Sequence, residues 1–253
     1  MTAEPLSLVP REAAEPTSLI EHRQALAQRA AWRLEEAPAE VVIRWAARTF
    51  GRGFALTSSM SDAVVIDLVA RHAPGSDVLF LDTGYHFAET IGMRDSVADA
   101  YRGRLNVVTV APDRTVAEQD AEHGPRLYER DPDRCCALRK VAPLDGALAG
   151  YDAWASGLRR DESFARSRTA VVDWDARNGM VKVNPIARWT RSDVDAYIER
   201  NGVLVNPLRA AGYRSIGCAP CTRRVTDGEG VRDGRWSGSS KTECGIHLVG
   251  APS

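Results

Sequence analysis

Five cysteines are the residues of this chain best suited to chemistry, and their spacing divides them four plus one. Cys135-Cys136 are adjacent, Cys218-Ala-Pro-Cys221 has metal-ligand spacing, and Cys244 stands alone near the end. By itself the C-x-x-C turn fits a zinc knuckle or a redox dithiol. The vicinal pair suits a single zinc ion poorly, because neighbouring side chains project in different directions, and a disulfide between them is strained. Neighbouring thiolates do suit different irons of one [4Fe–4S] cubane. Two unrelated buried pairs are the plain alternative. An odd count, in a chain that begins without the basic-then-apolar order of a secretory signal, favours metal binding or catalysis over disulfides.

Cys244 reads as a separate, reactive thiol. The thiolate is the effective nucleophile, and a free thiol ionises at about 8.5. Lys241 and nearby arginines favour ionisation while the adjacent Glu243 opposes it, a balance the sequence leaves open. Ser237-Gly238-Ser239-Ser240 ahead of it has linker composition, so residues 237–253 are expected to form a flexible tail. An incidental tail cysteine is the alternative.

A third feature is the polar run Ser58-Ser59-Met60-Ser61-Asp62 between a short apolar stretch and a helical pattern. A helix N-terminus offers unpaired N–H groups and about half a positive charge, and serine hydroxyls add donors, a combination suited to sulfate or phosphate. The plain reading is a turn in which Ser61 or Asp62 caps the helix. The run lacks the glycines of a Walker loop. Asp82-Thr83-Gly84 ends the next apolar stretch, where α/β sheets collect ligands.

The elements that must position these residues follow from periodicity. Helices are predicted from Leu19 to Arg33, from Pro38 to a stop at Gly51 with Val41, Val42, Trp45 and Ala46 on one face, and from Ala63 to Ala73. Others are predicted near Phe87 to Tyr101, from Arg134 to Ala149 carrying the cysteine pair, and from Thr190 to Asn201. Strands are predicted at 54–57, 78–81 and 105–110, with further candidates at 151–155 and 180–184. Alternation of this kind predicts an α/β fold with a doubly wound, mostly parallel sheet flanked by helices. After Pro207 the composition turns to Gly, Arg, Ser and Cys, which reads as a functional loop region. The expected organisation is a loose lead-in over 1–18, one α/β domain with the cysteine site over 19–236, and the tail over 237–253.

Bulk composition narrows the classes. With 33 basic and 34 acidic residues the net charge is −1, which gives no global attraction to nucleic acid or membrane, so any anion site must be built locally. Apolar runs are too short to cross a bilayer. A cytosolic protein is expected.

Several segments together resemble the assimilatory adenylyl-sulfate (APS) reductases. These are Cys135-Cys136-Ala-Leu-Arg139-Lys140, Gly157-Leu158-Arg159-Arg160-Asp161-Glu162-Ser163, Gly217-Cys218-Ala-Pro-Cys221, Gly234-Arg235-Trp236, and Lys241-Thr242-Glu243-Cys244-Gly245-Ile246-His247. Leu81-Asp82-Thr83-Gly84-Tyr85 also fits, and the likeness spans about residues 54 to 247. Relatives that reduce the 3′-phosphorylated substrate (PAPS) usually lack the four paired cysteines. The resemblance implies an adenine nucleotide alpha hydrolase-like fold, a [4Fe–4S] cluster on Cys135, Cys136, Cys218 and Cys221, and Cys244 as nucleophile. It implies Ser58, Ser59 and the Ser61 loop near the nucleotide's anionic groups and Gly157 near the adenosine. Arg166, Arg232 and Arg235 are implied on the phosphosulfate, and Lys140 between cluster and substrate. The implied reaction converts APS to sulfite and AMP through an S-sulfocysteine, with thioredoxin or a similar dithiol carrier as donor, on the route from sulfate to cysteine. A homo-oligomer is left open. Two stretches depart from the family pattern: Ser59-Met60-Ser61-Asp62 replaces the commoner Phe-Gly-Ala-Glu-Asp form, and Phe164-Ala165 replaces Pro-Thr.

Charge explains why such a site needs its cations. Four thiolates on a [4Fe–4S]²⁺ core total −2, and the substrate is a dianion. At roughly 6 Å and an effective dielectric of 20, each unit pair repels by about 3 kcal/mol. Lys140 and the arginines therefore read as counter-charges, with surface salt bridges as the alternative. Arg139, Arg159 and Arg160 are undecided between the two. His86 follows a ligand loop and His247 belongs to the tail motif; His22, His72 and His123 read as structural or exposed. Trp45, Trp154 and Trp189 read as core. Rival readings are a PAPS or dual-substrate reductase, an adenylating enzyme of the ATP-pyrophosphatase kind, and a non-catalytic metal-binding module.

Overall fold

Six short strands, none longer than five residues, carry the fold. In the computed structural model, which describes residues 17–247, they form one sheet in the order β3-β2-β1-β4-β6-β5. The expected lead-in lies outside the described residues except for the start of the first helix, as does the end of the tail at 248–253. Helices α1 (Thr17–Leu34) and α2 (Ala39–Phe50) precede β1 (Phe54–Thr57), which leads through a polar loop into α3 (Val64–His72). Then β2 (Asp77–Leu81), α4 (Ala88–Ala100) and β3 (Asn106–Val110) complete one half of the winding. The short helices α5 (Val116–His123), α6 (Leu127–Arg130), α7 (Pro132–Cys136) and α8 (Ala142–Leu148) lead to β4 (Ala153–Ala155). Last come β5 (Val172–Asp175), β6 (Met180–Val183) and α9 (Arg191–Asn201).

All neighbouring pairs are parallel except β5 with β6. Successive strand side chains point to opposite faces. Phe54, Leu56, Val78, Phe80, Val181 and Val183 enter the larger core with residues of α1 to α4 and α9. Ala55, Leu79, Trp154 and Met180 enter a second core with Leu144 and Leu148 of α8. The sheet is covered on both sides, as parallel sheets require. From β1 the chain winds outward through β2 and β3, then returns to place β4 on the other side of β1. The loops after β1 and β4 therefore flank a crevice at the switch point.

Local chemistry explains most boundaries. Thr190 and Asp193 form a capping box at the start of α9, and Gly202 ends it in the left-handed conformation (φ +60°). A second capping box, Thr115 with Glu118, starts α5, which the sequence reading missed. In α2 the fully buried residues are Ala39, Val42, Ile43 and Ala46, so the core stripe is rotated toward Ile43 from the one expected. The helix expected from Arg134 to Ala149 is broken: Ala137–Val141 forms a π-helical turn between α7 and α8. The missed strand β5 is a four-residue antiparallel edge with two aspartates, Asp173 and Asp175. Trp154 is 1% exposed, whereas Trp45 and Trp189 pack at the core's margin.

One charge lies inside this framework. Lys182 of β6 is opposite Trp154 of β4 in register, and its Nζ sits 4.6 Å from the indole centroid. Burial pushes its amine down to about 8, against the pull of Asp175 and Asp173. The unfolded chain keeps that proton to a higher pH, so between about 8 and 10.4 the unfolded state binds more protons and stability rises with pH. Replacing Lys182 by Met should therefore stabilise the protein at pH 7 by roughly 1–3 kcal/mol, with the advantage shrinking as pH rises through that window. Paired denaturant titrations from pH 7 to 10 measure it; a constant difference contradicts the assignment.

Candidate active site

The crevice at the switch point holds a cavity of about 210 Å³. Ser58, Ser59, Ser61 and Gly157 all line it, from the loops after β1 and β4. The first loop is pinned tightly. Ser58 N–H donates to the Leu79 carbonyl (3.1 Å), and Ser58 Oγ accepts from Met60 N–H (3.2 Å). Met60 is fully buried in the left-handed region at φ 57°, a conformation costing about 1–3 kcal/mol for such a residue. Asn206 holds it there: its Nδ2 donates to the Met60 carbonyl (3.0 Å) and its N–H to the Ser61 carbonyl (3.1 Å). Asp62 accepts from Val64 N–H (3.2 Å) at the start of α3 and pairs with Arg209. Neither expected cap holds the N-cap position, which is Ala63; Asp62, one residue earlier, makes the contact.

The expected cations Lys140, Arg166, Arg232 and Arg235 all line the same cavity, together with Arg159, Arg191 and Arg214. Lys140 comes from the π-helical turn and Arg166 from a short 3₁₀ turn at Phe164–Arg166. Arg232 and Arg235 lie on a segment stitched to the C-x-x-C turn. Arg223 N–H donates to the Gly234 carbonyl (2.9 Å), Trp236 N–H to the Cys221 carbonyl (3.0 Å), and Thr222 bridges to Arg235. The Arg235 guanidinium lies 4.4 Å from the Trp236 ring centroid, and Trp236 itself has φ 48°. Burial, with Arg166 next, pulls Arg232 down to about 10. The Nε atoms of Arg232 and Arg235 are buried without partners, and both residues line the cavity. Arg166 differs, since all three of its nitrogens bond carboxylates: Nε and Nη2 bond Glu243, and Nη1 bonds Glu162.

The undecided arginines are framework. Arg139 is 4% exposed and donates to the carbonyls of Thr83 and Arg114. Arg159 pairs with Asp161 and Glu162, and Arg160 with Glu35. His86 lines the cavity and its Nε2 meets the Leu81 carbonyl at 2.7 Å; burial pushes its pKa down, so the ring is neutral and that nitrogen carries the proton.

Next to this cavity lies a smaller one, lined by Cys135, Cys136, Cys218 and Cys221 with Tyr85, Tyr128, Arg139, Lys140 and Trp236. The π-helical turn that follows the vicinal pair sets Arg139 and Lys140 against the same void. The C-x-x-C turn is held from the opposite side: Ala219 N–H donates to the Tyr85 carbonyl (2.7 Å), and Thr83 Oγ1 meets Cys218 Sγ at 3.3 Å. All five cysteines are free thiols. Burial and the charges of Cys218 and Cys221 push Cys135 up to about 11, and burial with Cys218 raises Cys221. Burial alone would depress the Lys140 ammonium, but Cys218, Cys244 and Cys136 hold it above its ordinary value. Lys140 lines both cavities and is the physical link between them. Among the described residues, no three His, Cys, Asp or Glu side chains converge closely enough to hold a single metal ion.

Cys244 is docked in this structure. It is 7% exposed, lines the larger cavity, and packs with Cys136 and Trp236. A hydrogen bond from Cys136 draws its thiol well below the ordinary range; burial opposes this, and Lys140 and Arg235 reinforce it. Of Lys241 and the nearby arginines named from sequence as ionising groups, Arg235 acts on the thiol, whereas Lys241 pairs with Asp133. Glu243 directs its charge at Arg166 and Arg232. His247 stacks on Trp154 and is buried neutral, its pKa lowered by burial and then by Lys182. Sequence reading did not single out Asn206, Glu162, Lys182 or the pairing of Glu243; an acidic residue beside the nucleophile in a basic region was the available clue.

A crevice at a switch point of an α/β sheet, lined by cations and a buried thiol, is suited to an anionic ligand held beside a nucleophile. Residues 53–224 match the phosphoadenosine phosphosulfate reductase domain. The chain is 60% identical to the adenosine 5′-phosphosulfate reductase of Streptomyces coelicolor, over 90% of this chain and 95% of that one. It is 52% identical to the enzyme of the same name from Mycolicibacterium smegmatis, over 92% and 98%. The crystal structure of phosphoadenylyl-sulfate reductase from Candida auris, a phosphate complex, superposes with a TM-score of 0.66 at 29% identity, covering 83% of this chain and 99% of that one. The chain belongs to the phosphoadenosine phosphosulfate reductase family and is an oxidoreductase. No helix among the described residues is long and apolar enough to cross a membrane.

Gly217 tests the anion receptor. A Cβ there would collide with the Arg235 guanidinium. Gly217→Ala should therefore weaken binding of AMP by about tenfold or more, the factor given by 1.4 kcal/mol, with little change in melting temperature. Calorimetric titration beside a thermal melt checks this; unchanged affinity would remove Arg235 from the receptor.

Proposed function

We propose that this protein reduces adenosine 5′-phosphosulfate to sulfite and AMP, with a dithiol carrier such as thioredoxin as reductant, in the cytoplasm and in assimilatory sulfate reduction. The observation that carries the reading is Lys140: one ammonium lines both the four-cysteine cavity and the cavity holding Cys244. The names of the relatives point the same way.

The Cys244 thiolate attacks the sulfonyl sulfur of the substrate, forming a sulfur–sulfur bond. The S–O bond to the nucleotide phosphate breaks, and AMP leaves with that electron pair. Lys140, Arg232 and Arg235, which line the cavity, stabilise the charge that develops on the departing phosphate. Ser58, Ser59 and Ser61 receive the nucleotide's anionic groups, and Gly157 faces its adenosine. A thiolate of the carrier then attacks Cys244 Sγ, forming a mixed disulfide and expelling sulfite with its electron pair. The second carrier thiol attacks the carrier's own sulfur, which restores Cys244 and leaves the carrier as a disulfide. This second step needs Cys244 to leave its buried seat, so the tail opens between the two steps.

Cys135, Cys136, Cys218 and Cys221 are the residues that would hold a [4Fe–4S] cluster. Support comes from the donor set: four free thiols around one cavity, with no imidazole or carboxylate in its lining. A zinc ion needs its ligands to converge on one point, whereas a cubane takes one thiolate per iron, which suits thiols spread around a void. When bound, the cluster supplies a fixed anionic charge that Lys140 must balance beside the substrate.

Steady-state sulfite release with each sulfonucleotide tests the reading. APS should be preferred over its 3′-phosphorylated form by at least about tenfold, and Cys244→Ser should release no sulfite. Cys218→Ser should lose iron and sulfide together. Preference for the phosphorylated substrate, or full iron in that variant, overturns the corresponding part.

A further inference from the structure

A nucleophile behind a Ser/Gly linker must be fixed before it attacks, and the chain around Cys244 is held on both sides. Beyond it, His247 stacks on Trp154 and its Nδ1 meets Lys182 Nζ at 3.4 Å. Before it, Glu243 Oε2 accepts from Arg166 Nε (2.6 Å), while Oε1 accepts from Arg166 Nη2 (2.7 Å), Arg232 Nη2 (2.8 Å) and the Cys244 N–H (2.9 Å). Glu162 takes the remaining Arg166 nitrogen at 2.6 Å. Arg166 is buried and spends three of its five N–H donors on these two carboxylates. Arg232 holds the same carboxylate through Nη2, with its Nη1 at 3.5 Å from Ser215 Oγ.

We propose that Glu243 is a positioning residue for the reaction assigned above. Its carboxylate, gripped by Arg166 and Arg232, sets the Cys244 peptide so that the sulfur faces the cavity. Arg166 acts through Glu243. Arg232 lines the cavity, so the guanidinium that holds the tail also borders the space for the substrate's anion. The inference rests on the reductase reading.

The test is single-turnover formation of the Cys244 sulfonate, on full-length protein with its cluster, at saturating APS and without carrier. Glu243→Gln should slow adduct formation by about 10- to 100-fold, the scale of an ångström's misplacement of a reacting group. AMP affinity should move by less than about threefold, under 0.7 kcal/mol. Glu243→Asp, which keeps the charge on a shorter arm, should fall between, and it carries the test should the Gln variant fold poorly. Sulfite release from preformed adduct by a dithiol carrier should be unchanged, because that step uses the open tail. Adduct formation at the unaltered rate overturns the proposal, as does an AMP affinity that falls in proportion to the rate. Failure of the unaltered protein to form any adduct overturns the reductase reading instead.

Discussion

An ammonium held between two cavities is the constraint on which this site depends. Removing Lys140 from water is costly, and the cost is bearable only if anions surround it. The Cys244 sulfur, drawn toward its thiolate, is such an anion. The dependence runs both ways, because cysteines packed at this density are pushed toward their neutral forms without a cation among them. Two cavities that the fold could have kept apart are thereby joined through one side chain.

The remaining architecture brings groups to that ammonium from distant parts of the chain. The vicinal cysteines and Lys140 arrive on one broken helix, where the π-helical turn follows the cysteine pair. The C-x-x-C turn arrives with the arginine segment, to which it is stitched by backbone hydrogen bonds. Both left-handed residues at the site, Met60 and Trp236, are buried and over-determined by their neighbours. Such strain is held where geometry matters for ligand contact. Local cation pairing completes the balance: Glu162 and Glu243 neutralise Arg166 and part of Arg232, while Lys140 and Arg235 line the cavity without a carboxylate partner among the described residues.

Much of this was legible in the residues. The β1–loop–α3 unit, the capping box of α9 and the parallel winding follow from periodicity and short-range signals, which the sequence states directly. The division of the cysteines followed from spacing. What escaped depends on partners far along the chain. The strand Val172–Asp175 was hidden by its two aspartates, of which Asp175 accepts from the Trp154 indole. The Ser/Gly run before Cys244 reads as a linker, yet the segment is seated by Arg166, Lys182 and Trp154, none of them near it in sequence. Likewise Lys241 looked like the partner of the thiol, but its bond to Asp133 leaves that role to Lys140 and Arg235.

The account's central claim is that the cysteine set and the nucleotide cavity form one site, with Cys244 as its attacking atom. Mass analysis of peptides from anaerobically purified protein, incubated with APS in the absence of any carrier, addresses it directly. The account predicts one sulfonate per chain, on Cys244, with AMP released in equal amount. A sulfonate on another cysteine, or AMP release with no protein adduct, would contradict it.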